Sequence, residues 1–479
     1  MMKKDAATQR QAADGVLNAV DLHRHGSGSP LYEQLADALA RSIDDGVLES
    51  GDRLPPHREL ARTLRINVTT VTRAIARLKA RGLVESRPGR GTVVGPVHRQ
   101  PEAQFQSAPM AHGSGIDLSV NRPATDKYLR VLEKLLPSLP RDRRYDAVKD
   151  YQSAEGPEWA RVAAAAWMRG NGLAVQPEQL VLVDGAQQGL ASVLRATMQP
   201  GEALLADTVS YQGVNALCRT LGLELHGVAG DSRGMSPEAL ERACQEYLPR
   251  ALFLVPCLHN PTTLTLDQDR REKLLRVAAL YDLLVIEDDV YRPLLEEKPT
   301  PLFNLSPDSV FYITALSKCA APGIRFGVVA APQAYAADVA AAMRVDCWSV
   351  SPLTALIATR MIESGELDAL VQAQREELRV RNAILDEVLA SQRVSSAPVC
   401  THAWLHLPDP WRGSEFARAC HDHGVELLPG EAFTLRHEQP PHAVRINLAA
   451  ARSRDELERG LRIISDLVRR GHRHTNRIV

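Results

Sequence analysis

The chain has 479 residues, more than one ordinary domain holds at roughly 100–200 residues each, so several units or one large fold with an appendage are expected. Its 57 Lys+Arg against 58 Asp+Glu leave a formal net charge of −1, and 44% hydrophobic with 24% charged residues is an ordinary globular composition. These totals exclude a polycationic nucleic-acid coat and an acidic disordered tail, but they leave room for a basic segment balanced by an acidic one.

Residues 1–27 are polar, lack an apolar h-region and end in HRHGSGS, so a flexible tail is expected. From Pro30 the apolar residues Leu31, Leu35, Leu39 and Ile43 recur every fourth position, which predicts an amphipathic helix to Asp45, ended by Gly46. GDRLPPHRELARTLRIN predicts a turn and a helix over His57–Leu64. A further helix follows, capped by Asn67 or Thr69, with Val71, Ile75 and Leu78 on its apolar face and Gly82 at its end. LVESRPGRGTVV predicts a hairpin turning at Pro88-Gly89-Arg90-Gly91. Two short helices joined by a tight turn and followed by a basic hairpin make a winged helix-turn-helix, whose second helix enters the major groove. Between His57 and Gly95 stand nine Lys or Arg residues and only Glu59 and Glu85, a local excess of +7 that leaves about −8 for the rest.

LPPHRELARTLRINVTTVTRAIARLKARGLVESRPGRGTVV resembles the winged helix-turn-helix of GntR-type regulators, over residues 28–95. The resemblance puts Arg58, Thr69, Thr70, Thr72 and Gly89 near DNA; charge and position add Arg73 and Arg90. Val68 stands where relatives often carry a basic residue.

Residues 96–115 are rich in Pro, Gly, Gln and Ser without hydrophobic periodicity and predict a linker. Beyond them short apolar strands alternate with helical stretches, which signals an α/β fold with a mostly parallel sheet. Strands are expected at Leu180–Val183, Ala251–Val255, Leu283–Glu287 and Phe311–Thr314, and a small subdomain from about residue 375 to the end. The seven Cys are widely spaced without a C-x-x-C pair, which argues against a disulfide framework or zinc knuckle and for a reducing, cytoplasmic setting. No apolar run nears the roughly 18 residues of a membrane span.

Four features of this region point to one chemistry. Lys318, in ITALSKCAAPGIRFG, follows a strand, where a partly desolvated amine can form a Schiff base with an aldehyde; Arg325 can hold an anionic group of the same ligand. Glu287-Asp288-Asp289 end an apolar strand, so three acids are expected at the ligand crevice of the sheet, with Tyr291 close behind. Asn260-Pro261-Thr262 follows another strand end, and VLVDGAQQGL is a strand, a Gly-Ala turn and a helix N-terminus suited to phosphate. Taken singly, each is more often a cap, a turn or packing; their order and shared placement carry the weight.

Together they resemble the fold-type-I aminotransferases, which bind pyridoxal 5′-phosphate, from about Ile116 to Val468. The resemblance makes Lys318 the catalytic Schiff-base lysine and Asp288 the partner of the pyridinium nitrogen. Tyr291 and Asn260 fall to the 3′-oxygen. Arg325, Ser317 and the backbone at Ala186 and Gln187 form the phosphate cup. Tyr211 stacks on the ring, Arg445 grips a substrate or effector carboxylate, and Tyr151 is donated across a dimer. Three residues depart from the pattern. Thr263 replaces a usual Gly, which is tolerable if the backbone there needs no positive φ. Ala315 removes a hydroxyl from the phosphate cup, and Gly213 stands where some amine-sensing relatives have Arg.

A winged helix followed by a linker and an aminotransferase-like domain resembles the MocR/GabR regulators. That implies a homodimeric, cytoplasmic, DNA-binding transcription regulator in which an amine, an amino acid or pyridoxal 5′-phosphate alters promoter binding. The alternative is a working aminotransferase carrying a DNA-binding domain. No metal and no membrane partner is expected.

Overall fold

The computed structural model describes residues 30–44, 47–48, 51–80, 83–87, 91–94, 115–436 and 438–471. They divide into two units, within residues 1–104 and 105–479.

In the first unit, α1 (Leu31–Asp44) buries Leu35, Leu39 and Ile43, the i, i+4, i+8 positions of its apolar stripe. Pro56 precedes α2 (His57–Leu64), which stops where Arg65 turns into the left-handed region at φ 52°. The cap of α3 (Val68–Ala80) is Asn67, whose Oδ1 accepts from the Thr69 backbone N–H at 3.0 Å and from Thr69 Oγ1 at 2.9 Å. Thr69, the other candidate cap, therefore lies inside the helix. Val71, Ala74, Ile75 and Leu78 of α3 close over α1. The wing strands β1 (Val84–Arg87) and β2 (Gly91–Val94) pair antiparallel from Val84↔Val94 to Arg87↔Gly91. Residues 52–54 lie along β2, with an Arg53↔Val93 bridge and a Leu54 N–H bonded to the Thr92 carbonyl at 2.9 Å. That third strand segment had no alternating pattern to announce it.

The second unit is built on a seven-stranded sheet. In chain order its strands are β3 (Leu180–Val183), β4 (Ala203–Asp207), β5 (Glu224–Val228), β6 (Ala251–Leu254), β7 (Leu284–Asp288), β8 (Val310–Ala315) and β9 (Gly327–Ala330). Their order across the sheet is β3-β9-β8-β7-β6-β4-β5, and only β9 runs antiparallel to the others. Strands such as LVLV and ALFL are buried along their whole length, the pattern of a sheet covered on both faces. With six strands pointing one way, the turns after β3, β4, β6, β7 and β8 open at one edge, and β9 begins there. A second, four-stranded antiparallel sheet joins Val394–Ser395, His402–His406, Ala443–Asn447 and Leu428–Pro429, in that order. Leu385, Phe416, Leu461 and Ile464 pack its own core. Ile116–Asp117 joins this region by pairing in parallel with Val425–Glu426. No helix among the described residues is long and apolar enough to cross a membrane.

Candidate functional site

In the first unit, Arg58, Thr69, Thr72 and Arg73 are exposed and Thr70 is half-buried. They lie on α2 and the first turns of α3, the helix pair that faces a major groove in this architecture. Thr72 Oγ1 donates to the Val68 carbonyl at 2.9 Å and meets His57 Nδ1 at 3.2 Å, which ties the two helices. The Arg73 guanidinium lies 5.6 Å from the Tyr32 ring centroid, and Arg77 pairs with Glu33 at 2.9 Å, so the basic face is partly pinned to α1. Gly89 and Arg90 fall outside the described residues.

In the second unit the sheet edge gathers most of the expected residues. Lys318 stands three residues beyond β8 and is half-buried; its Nζ donates to the Asn121 carbonyl at 2.9 Å. Burial, with help from Arg445 and Arg325 and against the pull of Asp288, pushes the Lys318 amine down to about 8. The amine must be neutral to attack, so capture of a small aldehyde is expected to rise with pH to a midpoint near 8 instead of near 10.5. Borohydride trapping followed by mass spectrometry across pH checks this, and a midpoint above about 10 would mean a solvated amine.

The sequence placed three acids at the end of β7; the structure delivers one. Successive strand residues face opposite ways. Asp288 lies on the open edge, with its Oδ1 lacking a partner among the described residues, and burial pushes its carboxyl up to about 7. Glu287 and Asp289 turn inward and are fully buried. Glu287 accepts from the Leu302 and Phe303 N–H groups at 3.0 Å and faces Arg271 at 3.4 Å, while Asp289 faces Arg292 at 3.5 Å.

At the end of β3, Gly185 at φ 88° caps the helix Ala186–Thr197. A Cβ on Gly185 would come within 2.5 Å of Arg325 Nη2, so only glycine lets the guanidinium lie against this turn. Arg325 donates to the Asp184 carbonyl at 2.7 Å. The first N–H groups of the helix, at Ala186 and Gln187, have no acceptor within it. Ser317, half-buried, sits in the turn after β8, beside the buried Ala315 that offers no hydroxyl. Tyr211 caps the next helix, and a Cβ on Gly213 would strike its ring at 2.3 Å. A side chain at 213 would need the Tyr211 ring and the Gln187 carboxamide to shift.

Asn260 and Arg445 meet: Arg445 Nη1 donates to Asn260 Oδ1 at 2.9 Å, and Nη2 donates to the Ser119 carbonyl. Arg445 is buried over the Phe433 ring at 4.9 Å, and its Nε has no partner among the described residues. The loop carrying Asn260 overturns the condition set for Thr263. The φ of Thr263 is +68°, so a β-branched residue occupies a left-handed conformation that favours glycine, at a cost of roughly 1–2 kcal/mol. The Thr263 N–H bonds the His259 carbonyl at 2.6 Å and the His259 N–H bonds the Leu264 carbonyl at 2.7 Å, so the turn is closed on both sides of Thr263. Tyr151 is set apart by its exposure of 85%, and its ring meets Trp348 at 5.4 Å.

Several neighbours escaped the sequence reading. Asn121 Nδ2 donates to Tyr291 Oη at 2.6 Å, and its Oδ1 accepts from Thr401 Oγ1 at 3.0 Å. His402 lies against Tyr291 with ring centroids 5.7 Å apart. Its Nε2 faces the His259 carbonyl at 3.1 Å; a carbonyl only accepts, so Nε2 carries the proton. Burial pushes His402 down to about 3 and His259 down to about 4, and both rings are neutral. These residues enter from segments with no periodic signal. Only the pair Thr401-His402, at the start of a strand that also carries Trp404, offered a hint.

The chain matches the family model for aminotransferase class I and II over residues 114–464, and that for bacterial regulatory proteins of the gntR family over residues 31–94. It is 30% identical to the HTH-type transcriptional regulator YdeF of Bacillus subtilis over 440 residues, covering 92% of this chain and 94% of that one. It is 28% identical over 418 residues to the vitamin B6 salvage pathway transcriptional repressor PtsJ of Salmonella typhimurium, covering 87% and 94%. The fold is similar to that of LysN, the α-aminoadipate aminotransferase of Thermus thermophilus, in complex with N-(5′-phosphopyridoxyl)-L-leucine. There the TM-score is 0.68 at 21% identity, over 74% of this chain and 92% of that one.

Proposed function

The chain belongs to the aminotransferase class I and II family, among HTH-type transcriptional regulators that carry a gntR-family DNA-binding domain ahead of it, and we propose that it senses a small molecule through bound pyridoxal 5′-phosphate. The observation that carries this reading is a desolvated lysine at the same sheet edge as a buried carboxylate, Asp288, whose Oδ1 has no partner among the described residues. Lys318 would hold the cofactor covalently. Asp288 would face the ring nitrogen, whose positive charge would offset the burial that now disfavours the carboxylate. Arg325, Ser317 and the N–H groups of Ala186 and Gln187 would take the phosphate, Tyr291 and Asn260 the 3′-oxygen, and Tyr211 the ring face. Bound there, the cofactor supplies an electrophilic carbon for amines and an electron sink. Arg445, with an unpaired Nε, would orient a carboxylate. The working form in this reading is a homodimer in which the exposed Tyr151 is offered to the other copy.

The test is a mobility-shift assay of the full chain on its own upstream region, with and without pyridoxal 5′-phosphate and a panel of amines and amino acids. A ligand must bind two states with different affinity to switch anything, so a shift in DNA affinity is expected. Identical affinity under every condition overturns the sensing claim. That one relative is a vitamin B6 salvage repressor supports placing pyridoxal 5′-phosphate itself first on the panel. For the DNA face, Arg58→Ala is expected to weaken binding about equally across sequences and to lower the slope of log affinity against log salt by about 1. An unchanged slope in fluorescence anisotropy would remove Arg58 from the phosphate contacts.

The completeness of the Lys318, Asp288 and Arg445 set favours a second reading, a working aminotransferase. Amino acids mixed with a 2-oxo acid acceptor decide between the two: sustained turnover favours the enzyme, and a spectral change that stalls favours the sensor.

A further inference from the structure

Residues 116–121 cross the second unit as a strap. Ile116–Asp117 pairs with Val425–Glu426, the Leu118 carbonyl accepts from the Asn447 N–H at 2.8 Å, and the Ser119 carbonyl accepts from Arg445. The strap ends on Asn121, which makes three contacts at once. Its Nδ2 reaches Tyr291 Oη at 2.6 Å, its Oδ1 takes the Thr401 hydroxyl at 3.0 Å, and its carbonyl takes Lys318 Nζ at 2.9 Å. No other strap residue touches both Lys318 and Tyr291 among the described residues.

We propose that Asn121 is a positioning residue of the cofactor site, whose carboxamide aims the Tyr291 hydroxyl and whose carbonyl parks the Lys318 amine until a ligand takes it. The claim rests on the pyridoxal 5′-phosphate reading above. The bond to Thr401 stops the carboxamide from turning away. A phenol oxygen that accepts an N–H bond is a stronger donor through its own proton, so Asn121 sharpens what Tyr291 can give to the cofactor's 3′-oxygen. The charged and titratable groups facing this pair are Asp288 at the end of β7, Arg445 on its strand, Cys400 and His402 from the second sheet, and Tyr211 and Arg325 from the turns. The Lys318 amine also feels the charges of Arg445 and Arg325, which lower it, and of Asp288, which raises it. None of these is altered by changing Asn121.

The experiment is a pH titration of the absorbance of the full chain loaded with pyridoxal 5′-phosphate. Asn121→Ala keeps the backbone carbonyl and removes only the carboxamide. A weaker tyrosine donor stabilises the cofactor's anionic oxygen less, so the titration midpoint is expected to rise by roughly 0.5–1 unit. Asn121→Asp cannot donate when ionised and adds a negative charge, so its midpoint should rise further. Tyr291→Phe sets the upper limit. Cofactor affinity is expected to fall roughly two- to tenfold in Asn121→Ala. If both Asn121 variants titrate like the wild type while Tyr291→Phe moves, the positioning role is overturned. A wild-type chain that acquires no band with pyridoxal 5′-phosphate would instead overturn the cofactor reading beneath it.

Discussion

Lys318→Ala is expected to fold, to bind DNA with its basal affinity, and to lack the absorbance band of lysine-bound pyridoxal 5′-phosphate altogether. The amine stands just past the end of β8, within the electrostatic reach of Asp288, Arg445 and Arg325, and burial keeps a useful fraction of it neutral near physiological pH. Truncation removes one bond, from Nζ to the Asn121 carbonyl, and leaves the strands intact. Loss of a desolvated cation costs little stability, because burial disfavours its charged form. With the folded value lowered from 10.5 to about 8, the lysine weakens the fold below about 8, and that penalty fades as pH rises to 10.5. The variant is therefore expected to match or exceed the wild-type denaturant midpoint at neutral pH. It should also lose any ligand-dependent change in DNA affinity. A Lys318→Ala chain that keeps the band would sink the covalent assignment; one that loses the band yet keeps the ligand response would move sensing to another site.

Much of this site was legible because each residue is adjacent in sequence to a strand end. Lys318, Asp288, Asn260 and the turn before Ala186 all follow apolar runs of four to six residues, and a parallel sheet sends such ends to one edge. The period of two within β7 is also legible in the sequence and separates Asp288 from Glu287 and Asp289. Asn121 and Thr401 were out of reach for a different reason. They stand 280 positions apart and meet through the docking of the second sheet, which no local pattern encodes. Thr263 shows the limit of side-chain reasoning from the other direction. A departure from glycine is tolerable only where the backbone needs no positive φ, yet the turn closed by Thr263 N–H on the His259 carbonyl and by His259 N–H on the Leu264 carbonyl holds Thr263 at φ +68°. In the first unit, helix periodicity and the hairpin residues were enough, apart from the strand segment at 52–54, whose partners lie in the wing.

Arg271→Met is expected to destabilise the second unit by about 3–5 kcal/mol, the scale for removing one partner of a buried ion pair. Arg271 is fully buried and saturated. Its Nε donates to the Leu266 carbonyl at 2.9 Å, Nη2 to the Pro256 carbonyl at 3.0 Å, and Nη1 to Glu287 at 3.4 Å and the Thr300 carbonyl at 3.3 Å. It thus joins the turn after β6, which leads to Asn260, to the inward face of β7, whose next residue is Asp288. Methionine fills much of the volume but satisfies none of these acceptors, and it leaves the Glu287 carboxyl without its countercharge. Burial and the neighbouring Asp289 already push that carboxyl up to about 7, against the pull of Arg271. Losing Arg271 raises it further. A carboxyl whose folded value is raised adds stability below its unfolded value and loses it as pH climbs through the folded one. Because the wild-type carboxyl also takes up its proton once pH falls below about 7, the variant should regain part of its deficit only as pH falls towards about 7 from above, measured as denaturant midpoints. Adding Glu287→Gln removes the stranded charge and should recover a share of the loss at neutral pH, because deleting both partners is cheaper than deleting one. A single variant with a wild-type midpoint would mean that the buried network is dispensable and that the packing of β6 and β7 alone holds Asn260 and Asp288 at the sheet edge.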